Sequence, residues 1–171
     1  GHTPKDALFH ALKERYVALT EPVDVLVVAF REQLLTQLPP LDSSTTDLLA
    51  ALDDVGVPWG IVSNGSRSQR NKIRKLGLEG RTNCIVISEA VGVRKPDPAI
   101  FHLAAERLLV HPAATLFVGD HPDADIVGAA GAGMRTAWLH RGREWPARLA
   151  SSHPHYTIDT LTDLYQVVID R

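Results

Sequence analysis

Apolar and polar positions along the 171-residue chain follow two regimes that meet at Pro39-Pro40. Before that point apolar residues recur at helical spacing. Leu8, Leu12 and Tyr16, with Phe9 and Leu19 beside them, predict a first helix. The hydroxyl of Thr3 caps it, and Pro4 takes the first helical position. Glu21-Pro22 opens a second helix with an apolar face of Val25, Val28, Ala29, Leu34 and Leu35, and the paired prolines end it as a hinge.

Beyond the hinge, short continuous apolar runs alternate with helical stretches. Ser44-Thr45-Thr46-Asp47 is a capping-box variant ahead of Leu48, Leu49, Leu52 and Val55, and Gly56 closes that helix. Strands are expected at 59–62, 84–87, 116–118 and 136–139, with a short one near 156–158. Helices are expected at 66–76 (stopped at Gly77), from Asp97-Pro98 to about Leu109, from Asp123 to Gly133, and over 160–170. Uniformly apolar strands separated by helices predict a parallel sheet covered on both faces. The fold class is therefore α/β, a Rossmann-like three-layer parallel sheet over residues 41–171, with 1–40 as a separate helical segment.

Composition narrows the partners. The formal net charge is −2, from 18 basic and 20 acidic residues, so nothing favours a nucleic-acid backbone. No apolar run approaches the roughly 20 residues of a membrane span, and no charged-then-apolar leader is visible. Cys84 is the sole cysteine, which rules out an internal disulfide and suits a small buried hydrophobe in an apolar strand. The expected location is the cytoplasm, and the expected state a monomer or homodimer. Gly1-His2 reads as the remnant of an expression tag.

In an open parallel sheet, ligands bind beyond the carboxyl ends of the strands. The first strand delivers Ser63-Asn64-Gly65, the second leads through Ser88-Glu89 to Lys95-Pro96, and the third delivers Gly119-Asp120, then Asp123 and Asp125. A hydroxyl, an ammonium and several carboxylates are thus expected at one edge. Ser63 can donate to a phosphoryl oxygen, and the N–H groups of Asn64 and Gly65, at a helix start, favour an anion. Lys95 can neutralise non-bridging oxygens. Asp120 is a hard oxygen ligand for Mg²⁺, and Asp125 stands beside it to hold a metal-bound water or orient Lys95. The other candidates read more blandly. The eight histidines lack metal-ligand spacing, Arg67, Arg70, Lys72, Arg74 and Lys75 form a solvated face, and His121 could touch substrate.

Three stretches carry a resemblance to one family. Ile61-Val62-Ser63-Asn64-Gly65 resembles motif II of the haloacid-dehalogenase-like superfamily, and Gly92 to Phe101, with Lys95-Pro96 at its heart, resembles motif III. Val118-Gly119-Asp120-His121-Pro122-Asp123-Ala124-Asp125-Ile126 resembles motif IV. The likeness runs from about residue 41 to 140 and is nearest the small-molecule phosphatases that include pyrimidine-nucleotide and sialic-acid-phosphate phosphatases. It implies Ser63 and Lys95 as phosphate binders, Asp120 as metal ligand, Asp125 as the second acid of motif IV and Mg²⁺ as cofactor. It also implies a small phosphorylated metabolite as substrate, and makes residues 4–38 part of a mobile helical cap.

One motif of that family is absent. Its nucleophile sits in an Asp-x-Asp at the end of the first strand, and no stretch before residue 40 offers it: Asp24 precedes its apolar run, and Asp123-Ala124-Asp125 lies inside motif IV. The family's missing strand would lie between those ending at Ser63 and Asp120, so the chain is expected to be a fragment lacking about 30–60 residues by ordinary element and loop lengths. The expected activity is Mg²⁺-dependent phosphomonoester hydrolysis through an aspartyl phosphate, its nucleophile lying outside these residues. The alternatives are a non-catalytic phosphate binder without the nucleophile and a metal-independent 2-haloacid dehalogenase. The core motifs do not separate a phosphatase from a phosphomutase. A signalling receiver domain is disfavoured, since its acids precede its hydroxyl and lysine, whereas here the order is Ser63, Lys95, Asp120.

Overall fold

A computed structural model describes residues 4–169, and the chain divides into two compact units, 1–40 and 41–171. The cap expected at Thr3 and the tag-like Gly1-His2 lie outside the described residues, as does the last residue of the expected closing helix.

The first unit holds α1 (Pro4–Arg15) and α2 (Val23–Thr36). Phe9 packs edge-on against Phe30 with ring centroids 5.6 Å apart, and the Lys13 ammonium donates to the carbonyls of Thr20 and Glu21 in the connecting turn. The face expected for α2 is corrected: Val27 is its buried residue, while Val25, Val28 and Leu34 are exposed. The run Val23-Asp24-Val25-Leu26-Val27-Val28-Ala29-Phe30 is apolar around most of the helix, so periodicity could not choose a side.

The second unit begins with α3 (Ser43–Asp54). Its cap is Asp42 rather than the expected Ser44–Asp47 group: Asp42 Oδ1 accepts from the Thr45 N–H at 2.7 Å and from the Ser44 hydroxyl at 2.5 Å. Then come β1 (Ile61–Ser63), α4 (Arg67–Lys75), β2 (Ile85–Ile87), a one-turn α5 (Ser88–Val91) and α6 (Pro98–Leu108). Asp97 caps α6 as expected, accepting from the Ala99 N–H at 2.9 Å. α5 is too short to show a period, which is why it escaped the pattern. β3 (Leu116–Gly119) is followed by a wide, π-type turn at Pro122–Val127 and by α7 (Gly128–Gly131), in place of one regular helix. β4 (Arg135–Leu139), β5 (Tyr156–Ile158) and two helical turns complete the unit.

All strand pairs are parallel, as uniformly apolar strands require. They form two sheets, β1-β2 and β3-β4-β5, with Ile61 opposite Ile85 and Gly119 opposite Trp138. α6 and α7 cover one face through a cluster centred on Phe101, Ile100, Val86 and Cys84. Leu48 of α3, with Leu164, covers Ala137 and Ile158 on the other, and Ile73 of α4 packs with Ile85 and Ile87. Cys84 is fully buried and its thiol is pushed up by that burial, which fits an inert core residue.

β1 and β3 are apolar but only half-buried, unlike β2 and the middle of β4. Between them runs an apolar cleft of about 420 Å³ lined by Ile61, Val62, Leu116, Phe117 and Val118 among others. Protein interiors hold few voids larger than a water molecule, so this cleft in the sheet plane is exceptional. Among the described residues, β1 pairs only with β2 and β3 only with β4. No helix among them is long and apolar enough to cross a membrane.

Two measurements check this architecture. Phe101 is fully buried and stacks edge-on against Phe117 at 4.9 Å, so Phe101→Ala is expected to cost about 3–5 kcal/mol in denaturant unfolding. The Ser44 hydroxyl, with the Thr45 N–H and hydroxyl, lowers the Asp42 carboxyl from 3.8 to about 2. A group depressed on folding stabilises fully above its unfolded value and loses that contribution as pH falls through the folded value. The melting advantage of wild type over Asp42→Ala is therefore expected to be constant above about pH 4.5 and to shrink steadily toward pH 2.

Candidate active site

Each chemical residue is set at the carboxyl end of a strand by a local device. After β1 the chain turns through Ser63-Asn64-Gly65, and Asn64 reaches across to the loop before α6. Its Oδ1 accepts from the Lys95 N–H at 2.8 Å while its Nδ2 donates to the Lys95 carbonyl at 2.8 Å. This two-point clamp fixes the main chain of Lys95 from the neighbouring loop. The lysine side chain then runs back, and its ammonium donates to the Val62 carbonyl at 3.1 Å and pairs with Asp125 Oδ1 at 2.6 Å. It also lies 5.4 Å from the centre of the Phe117 ring.

Asp125 sits in the π-type turn, and its second oxygen accepts the N–H groups of Asp120 at 3.1 Å and His121 at 3.0 Å. Glycine permits this approach: a methyl on Gly119 would run into the Asp125 carboxyl group. Gly128 does the same one turn on, where a Cβ would stand 2.8 Å from Pro96 Cα and 2.9 Å from the Phe101 ring. The side chains of Lys95 and Asp125 are only 11% and 7% exposed, so the pair is withdrawn from water, whereas Asp120 is 48% exposed.

Val62, Lys95, Asp125 and Asp120 therefore form one continuous chain of contacts across three loops, with Ser63 next to Val62. Asp125, expected either to hold a metal-bound water beside Asp120 or to orient Lys95, gives one oxygen to the Lys95 ammonium and the other to two backbone N–H groups. Gly65, whose N–H was expected to face an anion with that of Asn64, donates it to Ser88 Oγ at 2.9 Å, and Glu89 accepts from the Arg67 N–H at the start of α4. Asp123 is not in this chain: it pairs with Arg148, which holds its carboxyl below the usual range. His121 caps the π-type turn, its Nδ1 accepting from Ala124.

Sequence reasoning missed Ser88, Arg148, Arg141 and Arg143. Arg141 and Arg143 approach the Asp120 carboxylate at 3.9 and 3.6 Å from the loop after β4. That loop also leaves the carboxyl edge of the parallel sheet, which was the available signal.

Among the described residues no cluster of three His, Cys, Asp or Glu side chains could hold a metal. Mg²⁺ needs no such cage, since it keeps several waters and takes one or two carboxylates. Asp120 is a hard oxygen donor, half-exposed and held at its main chain, and fits that ion as a single protein ligand.

The buried pair generates a test. Asp125→Ala would strand the Lys95 ammonium, with an expected loss of about 3–5 kcal/mol in chemical denaturation. The Lys95→Met, Asp125→Ala double variant is expected to recover part of that loss.

The family model for haloacid dehalogenase-like hydrolases matches residues 5–133. Glyceraldehyde 3-phosphate phosphatase of Methanopyrus kandleri is 36% identical over 165 residues, covering 94% of this chain and 70% of the relative. Pyrimidine 5'-nucleotidase YjjG of Escherichia coli is 38% identical over 113 residues, covering 60% of this chain and 48% of the relative. The chain thus spans 70% of one relative's length and about half of the other's. Among solved structures, the HAD-hydrolase YfnB of Bacillus subtilis, bound to magnesium, matches with a TM-score of 0.77 at 28% identity, over 96% of this chain and 70% of that one. With its three matching motifs, its all-parallel α/β fold and these relatives, the chain belongs to the haloacid dehalogenase-like hydrolases.

Proposed function

We propose that this chain is the greater part of a Mg²⁺-dependent phosphomonoester hydrolase acting on a small phosphorylated metabolite. The observation that carries it is the contact chain from Val62 through Lys95 and Asp125 to Asp120, in which one buried carboxylate takes the Lys95 ammonium on one oxygen and the Asp120 main chain on the other. A phosphate ester carries two negative charges, and any nucleophile must approach through them. Lys95, held by Asp125 and by the Asn64 clamp, neutralises that charge without reorganising during reaction. Ser63 donates to a phosphoryl oxygen. Asp120 would hold Mg²⁺, which would add further positive charge to neutralise the phosphoryl oxygens.

The nucleophile belongs in the cleft between β1 and β3. Two half-buried apolar strands flank it, and a further parallel strand there would bury them and bring its carboxyl end between Ser63 and Asp120. The first aspartate of an Asp-x-Asp at that end would attack phosphorus as the P–O ester bond breaks, the second would give its proton to the leaving oxygen, and would then take one from the water that releases phosphate and restores the carboxylate. The helical pair in residues 1–40 is read as part of a cap that excludes water and reads the leaving group. Glyceraldehyde 3-phosphate and pyrimidine-nucleotide phosphatases among the relatives support a small metabolite as substrate.

The full-length protein is expected to hydrolyse a generic aryl phosphate. Chelation is expected to abolish turnover, and Asp120→Asn to lower it by about a hundredfold or more. Undiminished turnover in that variant would refute the metal assignment. Phosphate binding without turnover would favour the non-catalytic relative, and halide release from a 2-haloacid in chelator would favour a dehalogenase.

A further inference from the structure

We propose that Arg143, together with Trp138, is a positioning residue that fixes Asp120 through its main-chain carbonyl. The proposal rests on the reading of Asp120 as the Mg²⁺ ligand. Because Gly119 lies opposite Trp138 in the β3-β4 register, the chain segments leaving these two strands run side by side. The Asp120 carbonyl oxygen there accepts two hydrogen bonds, from Arg143 Nη2 at 2.6 Å and from the Trp138 indole N–H at 3.3 Å. A carbonyl has two lone pairs, and both are used. On its other side the Asp120 N–H donates to Asp125. Both peptide groups of Asp120 are thus held, one by Asp125 of the buried ion pair and one by Trp138 of β4 with Arg143 of the loop after it.

The two donors are themselves fixed. Trp138 is buried and packs edge-on against Trp145 at 5.0 Å. Arg143 sits at the end of a tight turn closed by its own N–H on the His140 carbonyl at 3.0 Å. Arg141 (φ 51°) and Gly142 (φ 74°) adopt the left-handed conformation that folds this turn back toward Asp120. Arg143 Nε adds a second bond to the His140 carbonyl at 3.0 Å, so the guanidinium is anchored at both ends.

Arg143 also stands 3.6 Å from the Asp120 carboxylate, and these two roles act in opposite directions on a bound cation. A nearby positive charge opposes Mg²⁺, so a merely electrostatic neighbour would weaken binding and its removal would tighten it. A positioning residue does the reverse. The carboxylate contact is half-exposed and long, of the kind that contributes little, whereas the 2.6 Å bond to the carbonyl is short and charge-assisted. Positioning is therefore expected to dominate.

Mg²⁺ titration of the full-length protein by calorimetry, with tryptophan fluorescence as a second readout, decides the sign. Arg143→Met is expected to weaken Mg²⁺ binding by about tenfold, the scale of losing a group that orients a metal ligand. Trp138→Phe, which keeps an aromatic side chain but loses the indole N–H donor, is expected to give a smaller loss in the same direction. Unchanged or tighter binding by Arg143→Met overturns the proposal. If that variant does not fold, Arg143→Lys replaces it, with a smaller loss expected and unchanged or tighter binding again overturning the proposal. Asp120→Asn separates this proposal from the reading beneath it. Wild-type binding lost in Asp120→Asn but intact in Arg143→Met overturns the positioning role alone. Wild-type binding that persists in Asp120→Asn, or no binding at all, overturns both.

Discussion

The ion pair between Lys95 and Asp125 is the constraint on which the carboxyl edge of this sheet depends. Both charges are largely removed from water, and desolvation of that kind is offset only when geometry and extra hydrogen bonds are good. Here they are. The carboxylate takes the ammonium on one oxygen and two N–H groups on the other, and the ammonium takes the Val62 carbonyl as well. The result is an ammonium held in place before any anion arrives, which is what electrostatic stabilisation of phosphoryl transfer requires.

That pair also explains several residues that have no chemistry of their own. Gly119 and Gly128 leave room for Asp125 and Pro96, and the π-type turn carries Asp125 to the end of β3. Asn64 closes the opposite side by clamping the lysine main chain. Widened helical turns occur frequently at functional sites, and here the widening falls in the acidic turn beside β3.

The cleft between β1 and β3 gives the same edge its second property. Strands as apolar as Ile61-Val62 and Leu116-Phe117-Val118 belong in the interior of a sheet, yet they remain half-buried. The core clusters on the outer faces are well formed, around Phe101 on one side and Leu48 on the other. The deficit in burial is therefore confined to the sheet plane, next to the loops that carry Ser63 and Asp120. On the function proposed, a strand supplied there would complete packing and place a nucleophile in the same event.

Much of this was legible in the residues themselves. Continuous apolar runs between helices declared parallel strands, Asp97-Pro98 declared the start of α6, and the strand ends declared which loops carry Ser63, Lys95 and Asp120, because periodicity, capping and strand ends are local properties. A single parallel sheet was expected, and the described residues form two, β1-β2 and β3-β4-β5, parted where the family's strand between those ending at Ser63 and Asp120 has no counterpart in the chain. What the residues could not state were choices made by distant partners. The buried side of α2 was undecidable in a helix apolar all round, and the roles of Asp125 and Gly65 turned on Lys95 and Ser88, which lie 30 and 23 positions away. Arg143 was invisible for the same reason: its meaning comes from the Asp120 carbonyl, 23 residues upstream, which only the pairing of β3 with β4 brings within reach.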